Sequence, residues 1–224
     1  MPARTIAVGD VHGCAKALNT VIDAIRPTPD DLIVTLGDYV NRGPDSRGVL
    51  DALAALQSRC RLVPLLGNHD EMLLQARTGR PTTAATVAES LRRGRPPRDW
   101  TRELARLTPE NWAFLESCRS YHETEDHLFL HAAYDPAQPL SRQPDALLRW
   151  HSLRNGIPGP HYSGKVAVVG HSSQKNGKIL NLGHIICIDT YCHGGGWLTG
   201  LDVHTGQAWQ SDRNGRLRTR RGPR

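Results

Sequence analysis

The chain has 224 residues, 38% hydrophobic and 22% charged, enough to bury one sizeable core and ordinary for a globular protein. An aromatic content of 5% argues against a base-stacking platform for single-stranded nucleic acid, and no apolar run nears the ~18 residues of a membrane-spanning helix. The net charge of +6 is local: Arg213, Arg216, Arg218, Arg220, Arg221 and Arg224 close the chain with no acid among them, leaving 22 basic against 22 acidic residues elsewhere. Residues 1–212 therefore read as a single domain and 213–224 as a basic, unstructured and chiefly solubilising tail; a nucleic-acid partner is not expected, and this tail is the one part able to touch one. The start of the chain enters a strand pattern with no charged-then-apolar leader. Five cysteines match no zinc-binding spacing, so reduced thiols in the cytoplasm are expected.

In chain order, residues 5–8 form an apolar strand that runs into Gly9-Asp10-Val11-His12-Gly13. A helix follows over 14–25, with Leu18, Val21, Ile22 and Ile25 on one face. A second strand, 32–36, leads into Gly37-Asp38-Tyr39-Val40-Asn41-Arg42-Gly43, and a helix over 46–58 carries Val49, Leu50, Leu53 and Leu56. A third strand, 61–66, leads into the loop Gly67-Asn68-His69-Asp70 and a helix from about residue 71. Strand, polar loop and helix thus recur three times, the pattern of a layered α/β sheet that presents its loops on one edge. From about 77 to 120 the pattern changes to a helical insertion, with helices over 82–93 and 99–107 and one opened by Thr108-Pro109, an N-cap followed by proline at the first helical position. Strands return at 127–130, ending in His131, and at 165–169, ending in Gly170-His171-Ser172. A helix lies between them near 145–153, further strands fit 185–188 and 197–203, and 207–210 fits an edge strand.

Five strand ends therefore carry ligand-type residues: Asp10 and His12, Asp38, Asn68 and His69, His131, and His171. Two carboxylates, an amide and several imidazoles make a mixed oxygen/nitrogen set that suits manganese, iron or zinc better than calcium or magnesium. Asp38 can bridge two ions, and Arg42 can clamp an anion with its bidentate fork. Two such ions can bind a phosphoryl group and activate a water molecule. The remaining histidines at 122, 127, 151, 161, 184 and 204 read as ordinary polar residues, and His193 lies on a loop able to face the site.

The motifs Gly9-Asp10-Val11-His12-Gly13, Gly37-Asp38-Tyr39-Val40-Asn41-Arg42-Gly43 and Gly67-Asn68-His69-Asp70, with His131-Ala132-Ala133 and Gly170-His171-Ser172 after them, resemble the phosphoprotein phosphatase family of calcineurin-like metallophosphoesterases, in its bacterial and phage-type serine/threonine branch. The resemblance implies an α/β (α+β) fold with a central β-sandwich flanked by helices, and two divalent ions, manganese first and iron or zinc otherwise. Carried over, Asp10, His12 and Asp38 would hold one ion, and Asp38, Asn68, His131 and His171 the other. His69 would be the general acid and Arg42 the phosphate clamp. Hydroxide held between the ions would attack phosphorus in line, with no phosphoenzyme.

Two positions depart from the family pattern. Asn41 stands where the family has an aspartate that accepts a hydrogen bond from the catalytic histidine; the amide can accept the bond but brings no negative charge, so protonated His69 is less favoured. The family's second phosphate-binding arginine follows a tryptophan by two positions in phage-type members, but here Trp150 is followed by His151 and Ser152, leaving Arg149 and Arg154 as candidates. Three readings follow: a phosphomonoesterase for phosphoserine, phosphothreonine and aryl phosphates; a symmetrical diadenosine-tetraphosphate hydrolase, which shares the motifs; and a phosphate-binding module of low activity, suggested by Asn41. The expected partner in each is a phosphorylated protein or a small phosphoester, with no membrane involved.

Overall fold

The computed structural model describes residues 3–78 and 100–221. Eleven strands among them form two sheets. Strands β1 (Thr5–Val8), β2 (Leu32–Thr35) and β3 (Arg61–Pro64) run parallel. Strands β9 (Leu198–Asp202), β10 (Gln207–Ser211) and β11 (Leu217–Arg221) extend that sheet antiparallel beyond β1, in the order β11-β10-β9-β1-β2-β3. The second sheet, β4-β5-β6-β8-β7, has a parallel centre of β5 (His127–Leu130), β6 (Val166–Val169) and β8 (Ile185–Cys187). Its edges are two short antiparallel strands, β4 (Tyr121–Glu123) and β7 (Leu180–Asn181).

Alternation along the strands explains the layering, because successive side chains point to opposite faces. Ala7, Val34, Phe129, Val168 and Leu201 meet in one apolar cluster between the sheets. Their neighbours Ile6, Val8 and Ile33 face the other way, into a helical layer. Leu128, Leu130, Ala167 and Val169 face outward on the second sheet and meet Leu140, Leu148 and Leu153. The fold is a helix-flanked β-sandwich, as the sequence leads one to expect.

Helix α1 (Ala15–Ile25) buries Leu18, Val21, Ile22 and Ile25 in the helical layer, each such side chain contributing roughly 1.5–3 kcal/mol. Helix α2 (Ser46–Leu56) packs beside it, with its first turn held by Asp45, whose Oδ1 accepts from the Gly48 amide at 2.8 Å. Helix α3 (Asn68–Arg77) begins about three residues earlier than its apolar pattern suggests, so Asn68 and His69 sit in its first turn. The cause is Asp70: its carboxylate accepts from the Gly67 amide at 3.0 Å and closes the turn.

Of the helical insertion, 79–99 lies outside the described residues, including the helix expected over 82–93. The described part holds α4 (Thr101–Leu104) and α5 (Pro109–Glu116). The Thr108 hydroxyl caps α5 as read from the sequence, accepting from the Asn111 amide at 3.3 Å. Trp100, Trp112, Phe114 and Leu115 bury against the helical layer. Helix α6 (Asp145–Trp150) lies between the strands that deliver His131 and His171.

The described part of the arginine-rich end, residues 213–221, is not an unstructured tail. Residues 217–221 form β11, so β10 is an interior strand and not the edge. Arg218 lies 3.7 Å over the Trp197 ring and donates to Gln210 and to the Gly177 carbonyl. Strand hydrogen bonds and a cation–π contact outweigh the charge density that suggested disorder.

Candidate metal centre

The C-terminal ends of β1, β2, β5 and β6 meet at one edge of the sandwich, with the first turn of α3 beside them. There Asp10, His12, Asp38, Asn68, His69 and His131 are all buried. Ligand atoms of His12, Asp38 and His69 lie within 4.8 Å of one another, and so do those of Asp10, Asp38 and His131. Asp38 belongs to both groups. Its Oδ2 is 3.3 Å from His12 Nε2 and its Oδ1 is 3.5 Å from His131 Nε2, so its two oxygens face different imidazoles. Asn68 Oδ1 lies 3.2 Å from His131 Nε2 and 3.0 Å from His171 Nδ1. The His171 amide donates to both oxygens of Asp10 at 3.1 Å.

The backbone here is strained. Among the described residues seven non-glycine residues adopt positive φ, and five of them are His12, Asp38, Asn41, Arg42 and His171. This left-handed region is uncommon for L-residues and costs of order 1–3 kcal/mol each, so the strain is concentrated where side chains must converge. Glycine makes the convergence possible. A side chain on Gly67 would strike Asp38, and one on Gly170 would strike an oxygen of Asp10.

The donor set fits divalent cations. Burial, reinforced by Asp189 and Asp38, pushes the Asp10 carboxyl well above its ordinary range. Burial, reinforced by Arg42 and His193, pushes His12 well below its ordinary value, and burial takes His131 to about 4. Both imidazoles are therefore neutral near pH 7. The Nδ1 of His131 lies 2.6 Å from the Leu36 carbonyl, and that of His12 lies 3.3 Å from the Val40 carbonyl. A carbonyl only accepts, so Nδ1 carries the proton and Nε2 presents a lone pair. Those lone pairs face the Asp38 and Asn68 oxygens. Acceptor against acceptor in a buried site repels, and a cation between them removes the repulsion.

A family model for calcineurin-like phosphoesterases matches residues 3–215. The chain belongs to the calcineurin-like phosphoesterase family. Members of this family are metallophosphoesterases that work with a dinuclear metal site. The calcineurin-like chain is 39% identical over 132 residues to a symmetrical bis(5'-nucleosyl)-tetraphosphatase of Acidovorax sp. (strain JS42), covering 58% of the chain and 43% of that protein. It is 31% identical over 214 residues to serine/threonine-protein phosphatase 1 of Salmonella typhimurium, covering 86% of the chain and 88% of that protein. The chain thus spans about half or less of the tetraphosphatases that it matches. Among solved structures, a putative diadenosine tetraphosphatase superposes with a TM-score of 0.68 at 21% identity over 100% of this chain and 96% of that one.

The remaining predicted residues divide. The Arg42 guanidinium lies 3.0 Å from His69 Nε2 and 3.1 Å from His193 Nε2, which places it at the rim of the calcineurin-like site. Asn41 is buried and its backbone N–H donates to the Ser46 hydroxyl, while its side-chain Oδ1 has no hydrogen-bond partner among the described residues. Arg149 is occupied by protein carboxylates: it pairs with Glu71 at 3.0 Å and Asp145 at 2.8 Å and donates to the Ser120 hydroxyl. It is buried, and its nearness opposes protonation of His131. Arg154 donates to the Ser173 carbonyl on an exposed turn. The Arg149 fork is engaged by protein groups through both Nη atoms, whereas the exposed Arg154 is engaged through Nη2 alone.

Two residues, Asp70 and Asp189, escaped the sequence reading. Asp70 is fully buried, and its carboxylate accepts from the amides of Asp38 at 2.7 Å and Tyr39 at 2.9 Å as well as Gly67. It shapes the Asp38 loop from the neighbouring helix. Asp189, after β8, is buried, is held by Ser173 at 2.6 Å and raises the Asp10 pKa. It follows an apolar run as the candidate ligands do, so the same strand-end rule finds it. His193, read from the sequence as lying on a loop able to face the site, stacks edge-on against His12 at 4.5 Å.

Proposed function

We propose that this chain is a metal-dependent phosphomonoesterase acting on phosphoserine and phosphothreonine, with aryl phosphates as accessory substrates. The observation that carries the substrate class is the near end-to-end match with serine/threonine-protein phosphatase 1, which covers 88% of that protein. Asp10, His12 and Asp38 would hold one ion, and Asp38, Asn68, His131 and His171 the other. Manganese is the ion we favour, with iron or zinc as substitutes, and the site works in the cytoplasm, where its five free thiols stay reduced. The ions supply Lewis acidity and an activated water.

The protein's own groups do the rest. Arg42 has five donors and no acceptor, so its contacts need Nε2 of His69 and of His193 to accept. In this arrangement the proton of each neutral ring sits on Nδ1. A phosphate dianion that takes the Arg42 fork releases His69 Nε2, which can then take up the proton that the leaving alkoxide requires. Arg42 meanwhile stabilises charge on the transferring phosphoryl oxygens. Asp70 holds the loop that carries both Asp38 and Arg42.

A second reading is hydrolysis of diadenosine tetraphosphate, favoured by the higher identity of the tetraphosphatase matches over their shorter span. Phosphopeptide and diadenosine tetraphosphate are to be compared at equal enzyme with manganese. Faster phosphopeptide turnover supports the proposal; turnover of the dinucleotide alone sinks it. A low-activity phosphate binder is rejected by manganese-dependent turnover of p-nitrophenyl phosphate that Asp38→Asn abolishes.

A further inference from the structure

At the opposite end of the sandwich, Asp126, His127 and His204 form a cluster to which the phosphoesterase reading gives no role. Asp126 lies in the turn between β4 and β5, His127 is the first residue of β5, and His204 lies in the turn between β9 and β10. The first two belong to one sheet and the third to the other. One ligand atom from each residue lies within 4.8 Å of the other two. The His127 and His204 rings meet edge to face at 5.3 Å. His131, at the other end of β5, is four residues away, roughly 13 Å along a strand, so this cluster is separate from the catalytic edge.

His127 is 7% exposed, and its Nδ1 has no hydrogen-bond partner among the described residues. A buried ring nitrogen left without a partner is unfavourable. The backbones that carry the cluster are pinned. Thr124 bonds the His127 amide through its hydroxyl at 3.2 Å and the His127 carbonyl through its amide at 2.9 Å. Asp202 Oδ1 accepts from the amides of His204 at 3.0 Å and Thr205 at 3.2 Å.

We propose that Asp126, His127 and His204 form a third metal site that takes a zinc-class transition ion and clips the β9–β10 turn to the start of β5. Two imidazoles and one carboxylate prefer zinc, nickel, cobalt or copper to magnesium or calcium. Three protein ligands leave a fourth position for water. Donors around a zinc ion sit roughly 3.3 Å apart at bond lengths of ~2 Å, so the exposed Asp126 and His204 side chains need close by only about 1–1.5 Å. Because the ligands come from both sheets, the ion stabilises the folded sandwich in proportion to its occupancy.

The test uses the full chain with zinc alone as probe, in an Asp38→Asn background that weakens the catalytic centre and in the unaltered protein. Zinc per chain is measured after equilibrium dialysis, and Tm with and without zinc. His204→Gln, at an exposed turn, is expected to lose one ion per chain in both backgrounds and most of the zinc-induced rise in Tm, with manganese-dependent phosphatase turnover unchanged. His127→Gln is expected to lose the same ion. Equal zinc content with and without His204 in the Asp38→Asn background overturns the site. So does a loss of phosphatase turnover in step with the lost ion, because the ion then belonged to the catalytic edge.

Discussion

At the C-terminal ends of the parallel strands, Asp10, Asp38, Asp70 and Asp189 are all buried, and burial pushes Asp10, Asp70 and Asp189 above the usual carboxylate range. At the N-terminal ends, Asp31 is equally buried but faces the Arg4 guanidinium at 2.6 Å and accepts from the Thr28 amide at 2.8 Å, and its pKa falls. The first end gathers like charges, positive-φ residues and facing lone pairs; the second pairs its charge within the chain. A carboxylate that the fold itself neutralises is a brace between β1, β2 and the end of α1. Among the carboxylates of the first end, Asp70 is held by backbone amides and shapes the Asp38 loop, whereas Asp10, beside Asp38 and Asp189, is a candidate ligand.

The sharpest way to break this contrast is Asp38→Asn, which removes the charge that two imidazoles face. Turnover of p-nitrophenyl phosphate is expected to fall by at least about 10²–10³-fold, the scale of losing a key electrostatic group, with fewer manganese ions retained on metal analysis. A variant that keeps both ions and most of its activity would remove Asp38 from its bridging place.

Asp70→Asn probes the same end one layer back. An amide there turns its NH2 toward backbone donors, so the protein is expected to lose about 2–3 kcal/mol in urea unfolding and roughly 10–100-fold in manganese affinity. Unchanged metal affinity would make Asp70 a cap for α3 and nothing more.

Asn41→Asp sharpens the contrast in the other direction, by adding a carboxylate that favours protonated His69. Turnover is expected to rise, by up to about 10²-fold for alkyl phosphates if general acid catalysis is limiting, and by less for aryl phosphates, whose leaving groups need little protonation. Equal gains on both classes would show that His69 is not limited by position 41.

The smallest effect belongs to the neutralised end. The depressed pKa of Asp31 contributes stability that is present above the unfolded value near 3.8 and is lost as pH falls through the folded value. Asp31→Asn should therefore lower Tm at pH 7 and converge with the unaltered protein in strong acid. A Tm difference that stays constant with pH would mean that packing, and not the Arg4 pair, is what the substitution removes.

The sequence alone determined much of this. Apolar runs of four or five residues, each followed by a residue of ligand type, picked out Asp10, His12, Asp38, Asn68, His131 and His171 as candidates, because a strand end is a local feature with a local composition. It also placed Thr108 at a helix start, where capping depends on neighbours three residues away. Tertiary structure decided what depended on distant partners. Whether an arginine is a clamp or a brace rests on what meets its fork: Arg42 meets two imidazoles, whereas Arg149 meets Glu71, 78 residues away in sequence. Asp70 shapes a loop some thirty residues before it. The arginine-rich end became a strand because β10 offered it hydrogen bonds and Trp197 a ring face. Likewise His127 and His204 stay two unrelated polar residues until the two sheets close and bring their rings together. Spacing along the chain carries no trace of that closure, because the packing of one sheet on the other creates it.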